Sequence, residues 1–296
     1  PDHGLPGHFA ADPEFDVIRG PKMLRNVTPN EIETDRRFAT TLARGLSVLR
    51  AFRPSDDGLG NAGISERTGI PKSTVSRLTF TLQKLGYLTH ARRHDRYRPG
   101  PALLALGNMA SASISFVDLS SPLMQRLADE TGTLALLLVR DGGKLLIVKT
   151  WRPRGVASLW LEVGHRLPFN GTSSGHALLA STSEEGFDEI LTAADGDRGV
   201  TRDRAEEIRR VAHNQLVTTG FVVTDPGEYF AANIHAVATP FYSRDLSEPV
   251  IFTCGALPEV LSVPRMRTDV GPKLRETVQE LERMMGLGVS QAYRDL

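Results

Sequence analysis

Residues 61–86, NAGISERTGIPKSTVSRLTFTLQKLG, constrain the fold more than any other stretch of this chain. Two short helical patterns meet there at Gly69-Ile70-Pro71. Gly69 tolerates positive φ, and Pro71 presets a helical φ while giving up an N–H that a first turn leaves unpaired anyway. The second pattern is therefore expected to start at Pro71. In it Val75, Leu78, Leu82 and Leu85 recur at spacings of three, four and three, one stripe of a helix. The opposite face carries Ser73, Ser76, Arg77, Phe80 and Lys84, with Lys72 and Thr74 flanking the first turn. Short hydroxyls, cations and N-terminal amides set beside a buttressing helix are the layout of a helix-turn-helix, whose second helix enters the major groove.

The residues on either side extend this reading. Upstream, Leu42, Leu46, Leu49 and Phe52 predict a first helix over 38–53 with that stripe inward, followed by a turn-rich connection over 54–63. Downstream, Tyr87-Leu88-Thr89-His90-Ala91 predicts a strand, Arg92-Arg93-His94-Asp95 a cationic tip, and Arg96-Tyr97-Arg98 the returning strand. A short hairpin after a recognition helix is a wing, and its arginines suit phosphates or the minor groove.

Charge distribution supports the same assignment. Lys plus Arg balances Asp plus Glu over the 296 residues, yet residues 36–100 hold 13 basic side chains against 4 acidic ones. Only this segment is strongly basic, as an electrostatic footprint for DNA should be. A winged helix that binds protein instead of DNA is the alternative, and the basic excess argues against it. The single cysteine, Cys254, excludes an intrachain disulfide and suits a reducing compartment. The given sequence opens on no charged-then-apolar leader, and no apolar run approaches the roughly 18 residues of a membrane span, so a soluble cytoplasmic protein is expected.

These blocks resemble the IclR family of bacterial transcription regulators. The resemblance rests on ARGLSVLRAF (43–52), SERTGIPKSTVSRLTFTLQKLGYL (65–88), YRPGPALLALG (97–107) and, far downstream, LPFNGTSSGHALLA (167–180). Its blocks keep the family's order and cover most of residues 38–286. The expected organisation is a loose arm at 1–35, a winged helix-turn-helix at 36–100, a linker helix at 101–119, an effector-binding domain at 120–286 and a tail at 287–296. His3 and His8 in the arm read as solvated, and no metal or cofactor is expected.

In the linker, Pro101 to Phe116 predicts a helix with Leu103, Leu106 and Ala110 on one face; the family uses this helix as a dimer contact. Ser121 to Glu130 continues helical with Leu123, Leu127 and Ala128 inward. The pattern then changes period. Apolar runs at 134–140 and 145–151 flank Asp141-Gly142-Gly143-Lys144, a hairpin signal, and 156–163 reads as a third strand. Helices are expected over 173–180, 185–193, 202–219 and 268–285, the last with Val270, Leu274, Val278 and Leu281 inward, and strands over 221–224, 234–242 and 250–255. The order implies an α+β domain on an antiparallel sheet; the resemblance implies a GAF-like sensor.

Gly171-Thr172-Ser173-Ser174-Gly175 supports two readings. It fits G-x-S-x-G, the nucleophile elbow of α/β-hydrolases, with Asp225 and His235 following in order. An elbow needs an apolar strand running into its first glycine, however, and Pro168 interrupts that approach. A glycine-rich turn opening a helix is otherwise an anion site, because its free amides and the helix dipole face the ligand. No catalytic residue is assigned on that reading. In the resemblance, this loop binds effector carboxylates through Ser173 and Ser174, and further effector contacts fall on Asp225, Ala236, Phe252 and Cys254.

Family members with a small-acid pocket carry hydroxyls at the last two of these positions. Phe252 departs from that pattern, which with Trp151 and Trp160 favours a larger or aromatic acid, although both tryptophans also fit ordinary core. Asp225 before Pro226-Gly227 also fits turn chemistry, and Cys254 an inert buried thiol. The expected partners are operator DNA, a small carboxylate effector and further copies of the chain, as a dimer or a dimer of dimers. The expected function is a non-enzymatic DNA-binding regulator whose operator affinity responds to that acid.

Overall fold

The computed structural model describes residues 38–91, 95–194, 200–231 and 233–287. They divide into two compact units, the first running through the wing and the second from Ala102 onward. The expected arm at 1–35, with His3 and His8, lies outside the described residues, as do Arg92 and Arg93 at the wing tip and nearly all of the tail.

In the first unit, α1 (Thr40–Arg50), α2 (Asn61–Thr68) and α3 (Lys72–Lys84) precede the antiparallel hairpin of β1 (Leu88–Ala91) and β2 (Arg96–Pro99). The chain passes from α2 to α3 through Gly69 in the left-handed region at φ 69°, and Pro71 caps α3 one residue before its first turn. Val48, Ile64, Ile70, Val75, Leu88 and Tyr97 form the core.

Two expected stripes are corrected. In α1 the buried positions are Gly45 and Val48, while Leu42 and Leu46 are exposed. Gly45 faces Leu78 of α3, and a Cβ there would meet the leucine at an ordinary contact distance of 3.9 Å, so the inward side of the helix is the one carrying Gly45 and Val48. In α3 the stripe ends early. Val75 is buried, Leu78 and Leu82 are half-buried, and Leu85 is exposed. Thr79 takes the remaining inward place because its hydroxyl is satisfied by the Val75 carbonyl (3.0 Å) and Asn61 Oδ1 (3.1 Å).

The second unit begins with α4 (Pro101–Ser113) and α5 (Ser115–Thr131). The expected helix over 101–116 thus stops short, and the two axes bend by 88° at the break. Among the described residues no single helix is long and apolar enough to cross a membrane. The sheet is built from β3 (Leu134–Asp141), β4 (Lys144–Trp151), β5 (Arg166–Leu167), β6 (Val222–Val223), β7 (His235–Phe241) and β8 (Val250–Ala256), in the order β5-β4-β3-β8-β7-β6 with every pair antiparallel. Helices α6 (Ser173–Ser181), α7 (Glu184–Ala193) and α8 (Arg202–Thr219) cover one face. On the other face lie α5 and α9 (Gly271–Met284), which follows a π turn at Met266–Val270. Because both faces are covered, β3 and β8 read as continuous apolar runs instead of alternating ones.

The expected third strand at 156–163 does not form. Its period-two pattern survives, with Leu159 and Leu161 buried and Trp160 exposed. The carbonyls of Leu159 and Leu161 accept instead from the Arg152 guanidinium, both at 2.7 Å. The short β5 occupies the edge beside Leu145 and Leu146. One cation has replaced a ladder.

Candidate functional site

On α3 the side chains of Lys72, Ser73, Ser76, Arg77, Phe80 and Lys84 are exposed, and Thr74 is half-buried. Burial of Val75 and Thr79 fixes this orientation. The face is cationic and hydroxylated, and Phe80 stands out 58 % exposed with Lys84 Nζ 5.5 Å from its ring. No ion pair among the described residues engages Arg77 or Lys72. Arg67 differs, being held by both Asp56 oxygens (2.6 and 2.8 Å) and the Ala51 carbonyl (2.9 Å). At the wing base Arg96 donates to the Asp57 carbonyl (3.1 Å), and Arg98 pairs with the Asp57 carboxylate. Arg96 therefore ties the wing to the preceding loop as well as facing solvent.

In the second unit α6 opens at Ser173, directly after the capping residue Thr172, whose Oγ1 accepts from the Gly175 amide (2.9 Å). Gly171 lies in the left-handed region at φ 72°, and a Cβ there would come within 2.7 Å of the Glu228 carbonyl oxygen. At Gly175 a Cβ would fall 2.1 Å from the Phe169 carbonyl oxygen. The two motif glycines are thus required by close backbone approach. Ser173 is fully buried; its hydroxyl donates to the Ala236 carbonyl (2.7 Å) and accepts from the Thr224 amide (3.0 Å). The Tyr229 hydroxyl also reaches the Ala236 carbonyl (2.9 Å) and lies 3.3 Å from Ser173 Oγ. Ser174 Oγ meets Thr253 Oγ1 at 2.9 Å. Helix capping uses neither the Ser173 nor the Ser174 amide, so both point from the positive end of α6.

His176 extends the cluster. Its Nδ1 meets Thr224 Oγ1 at 3.2 Å, while buried Nε2 has no partner among the described residues. Burial, with the Arg204 charge adding to it, holds the imidazole down to about 4, so it is neutral near pH 7. Burial likewise raises the Tyr229 phenol above its ordinary value.

The hydrolase alternative fails on geometry. His235 donates Nδ1–H to the Leu261 carbonyl (2.8 Å) and stacks on Tyr229; Asp225 is exposed, 3.8 Å from Arg267. Neither is hydrogen-bonded to Ser173. The strand before the motif is the two-residue edge strand β5, in an antiparallel sheet that supplies no elbow.

The expected effector positions come together only in part. Ser173, Ser174 and Ala236 share the α6 side of the sheet. Phe252 and Cys254 do not: both are fully buried in the core on the α5 and α9 side. Side chains alternate along β8, so Thr253 is the one that faces α6. Phe252 packs against Phe241 and Trp151 there and bears on no ligand beside Ser174. Trp151 is core, whereas Trp160 is 70 % exposed. Burial pushes the Cys254 thiol up to about 12, as expected of an inert thiol. Thr224, Tyr229, His176 and Thr253 were not singled out from the sequence. Counting alternation from Phe252 finds Thr253, and helical spacing from Ser173 finds His176; Thr224 and Tyr229 have no such signal.

Comparison with known proteins agrees with this arrangement. The family model for the IclR helix-turn-helix domain matches residues 41–92, and that for the bacterial transcriptional regulator IclR C-terminal matches residues 109–283. A Pca regulon regulatory protein from Pseudomonas putida is 31% identical, with 88% of this chain and 84% of the relative covered. The HTH-type transcriptional regulator TsaQ1/TsaQ2 of Comamonas testosteroni is 28% identical over 87% of this chain and 93% of its own. Among solved structures, an IclR family transcriptional regulator from Brucella abortus superposes with a TM-score of 0.72 at 31% identity, covering 89% of this chain and 99% of that one.

Proposed function

Since the chain belongs to the IclR family of bacterial transcriptional regulators, we propose that its operator affinity is set by an organic acid bound at the α6 N-terminus. The chain is a DNA-binding regulator of the IclR type. On our reading α3 enters the major groove through Ser73, Ser76 and Arg77, with Lys72 and Thr74 at its first turn and Arg92, Arg93 and Arg96 along the backbone. The observation that carries the acid site is the pair of amides at Ser173 and Ser174, beside the hydroxyls of Thr224, Tyr229 and Thr253. A carboxylate gains there from both the amides and the helix dipole.

The acid we favour is aromatic. The residues on the α6 side of the sheet there, Ala236 and Gly255, are small, and Leu159, from the loop pinned by Arg152, lies within van der Waals reach of Gly255. 4-Hydroxybenzoate, present in a complex of an IclR homologue from Microbacterium hydrocarbonoxydans that shares this fold, is the first acid to try. We also propose that α4 mediates self-association, because it buries none of its residues and exposes Leu104, Leu106 and Met109. Dimeric recognition would set half-sites about 34 Å or a multiple apart. The test is operator binding by the full chain with and without benzoates. Acid-dependent affinity is expected, with a weaker acid dependence in Ser173→Ala, which keeps the amides but loses the hydroxyl that orders Thr224 and Ala236; equal affinity at every acid concentration defeats the proposal.

A further inference from the structure

A cavity lies across the sheet from the α6 site. It has a volume of about 690 Å³, within the range of small-molecule pockets. Its walls are the last turns of α4 (Gly107, Ala110), the start of α5 (Phe116) and the β3–β4 surface (Leu137, Val139, Val148). A bulge opposite Leu137 and Leu138 shapes that surface: Lys149 pairs with Leu137 and Ile147 with Leu138, leaving Val148 as the extra residue. Val148 and Lys149 consequently both line the cavity, while Ile147 points into the opposite core.

Two cations reach the cavity and differ in their partners. Arg140 is taken up by Glu248 and by Glu189, the latter at 2.8 Å. Lys149 makes no ion pair among the described residues, and its Nζ lies 5.8 Å from the Trp151 ring. An apolar cavity with one half-buried, uncommitted ammonium matches a ligand with an apolar body and one negative end.

We propose that this cavity is a separate site for an amphipathic monocarboxylate, its aromatic or short acyl body on Val139 and Val148 and its carboxylate on Lys149. Because α4 forms one wall, occupancy also fixes how that helix is held against the sheet. The inference does not depend on the acid site at α6.

Trp151 is a built-in reporter, since the chain has only two tryptophans. In the full chain carrying Trp160→Phe, titration with 4-phenylbutyrate should give a saturable change in Trp151 emission. Adding Lys149→Met should weaken binding about tenfold, as loss of a charge-assisted hydrogen bond implies, and leave the weaker binding of 4-phenylbutyramide unchanged. Ala110→Phe, which sets a ring on an exposed α4 position that lines the cavity, should abolish both titrations. Ser173→Ala should alter neither. The proposal is overturned by an absent saturable signal, including one absent because a second copy of the chain covers the cavity. It is equally overturned by indifference to Lys149→Met or to Ala110→Phe, or by loss of binding with Ser173→Ala.

Discussion

Gly175 and Phe169 approach so closely that a Cβ on the glycine would lie 2.1 Å from the Phe169 carbonyl oxygen. Replacing a helical glycine by alanine ordinarily stabilises by up to about 1 kcal/mol. Here the sign should reverse, because the neighbour is backbone and cannot rotate away. Gly175→Ala is expected to cost about 1–3 kcal/mol, measured by urea unfolding. A stabilised variant would mean that α6 is not seated on Phe169.

Ser174 and Thr253 form a buried hydroxyl pair at 2.9 Å that joins α6 to the central strand β8. Either Ser174→Ala or Thr253→Val alone leaves one hydroxyl unpaired, at about 1–3 kcal/mol. The double variant should lose less than the sum of the two, by about 0.5 kcal/mol or more. Strict additivity in a double-mutant cycle would dissolve the contact, and with it the assignment of Thr253 to the α6 side.

How far the sequence revealed this arrangement depends on which signal each element carried. The polar face of α3 was legible because Ser73, Ser76 and Arg77 lie opposite Val75 in a helix that the Gly69 turn isolates. Leu85 was misread because the stripe outruns the small first core, whose inward surface is completed by a threonine with a satisfied hydroxyl. The strand expected at 156–163 had the right alternation, but periodicity cannot say whether a neighbouring strand or Arg152 will take the carbonyls. Phe252 and Cys254 entered by family resemblance, and the alternation of β8 sends both to the other face.

Two arginines of the first unit should respond oppositely. Arg77 is exposed on α3 without an ion pair among the described residues, and Arg77→Ala should weaken operator binding. If Arg77 reads a base, preference at one operator position relaxes by about 1–3 kcal/mol; if it meets a phosphate, the slope of log K against log salt flattens by about 0.9. Arg67 is occupied by Asp56 and Ala51, so Arg67→Ala should lower the unfolding midpoint and leave the salt slope intact. Filter binding across a salt series, beside thermal melts, separates the two.

In α9 the ion pair between Arg275 and Glu282 is almost fully buried, at 3.3 Å. Gly220 makes room for it, since a Cβ there would come within 3.0 Å of the arginine side chain. Removing one partner strands the other charge, so Glu282→Ala should cost about 3–5 kcal/mol in denaturant unfolding, far more than an exposed pair such as Arg210 with Glu207. Equal losses at the two pairs would argue that α9 does not bury this charge.

The last expectation concerns acid. His176 is held neutral, at about 4 against an ordinary 6.5, by burial and the nearby Arg204 charge. The unfolded chain therefore takes up this proton first as pH falls. The stability contributed is present above 6.5 and is lost progressively down to about 4, reaching about 2–3 kcal/mol. The carboxyls of Asp129 and Asp269 are held low by Arg154 and Lys273 and protonate below that window. His176→Gln, which cannot titrate, should make the slope between pH 6.5 and 4 shallower, leaving the part due to His165, whose imidazole burial also holds low, and the steeper loss below that window. Chemical unfolding at intervals through that range checks this, and identical slopes for the two proteins would mean that the imidazole is already wetted and charged in the folded chain.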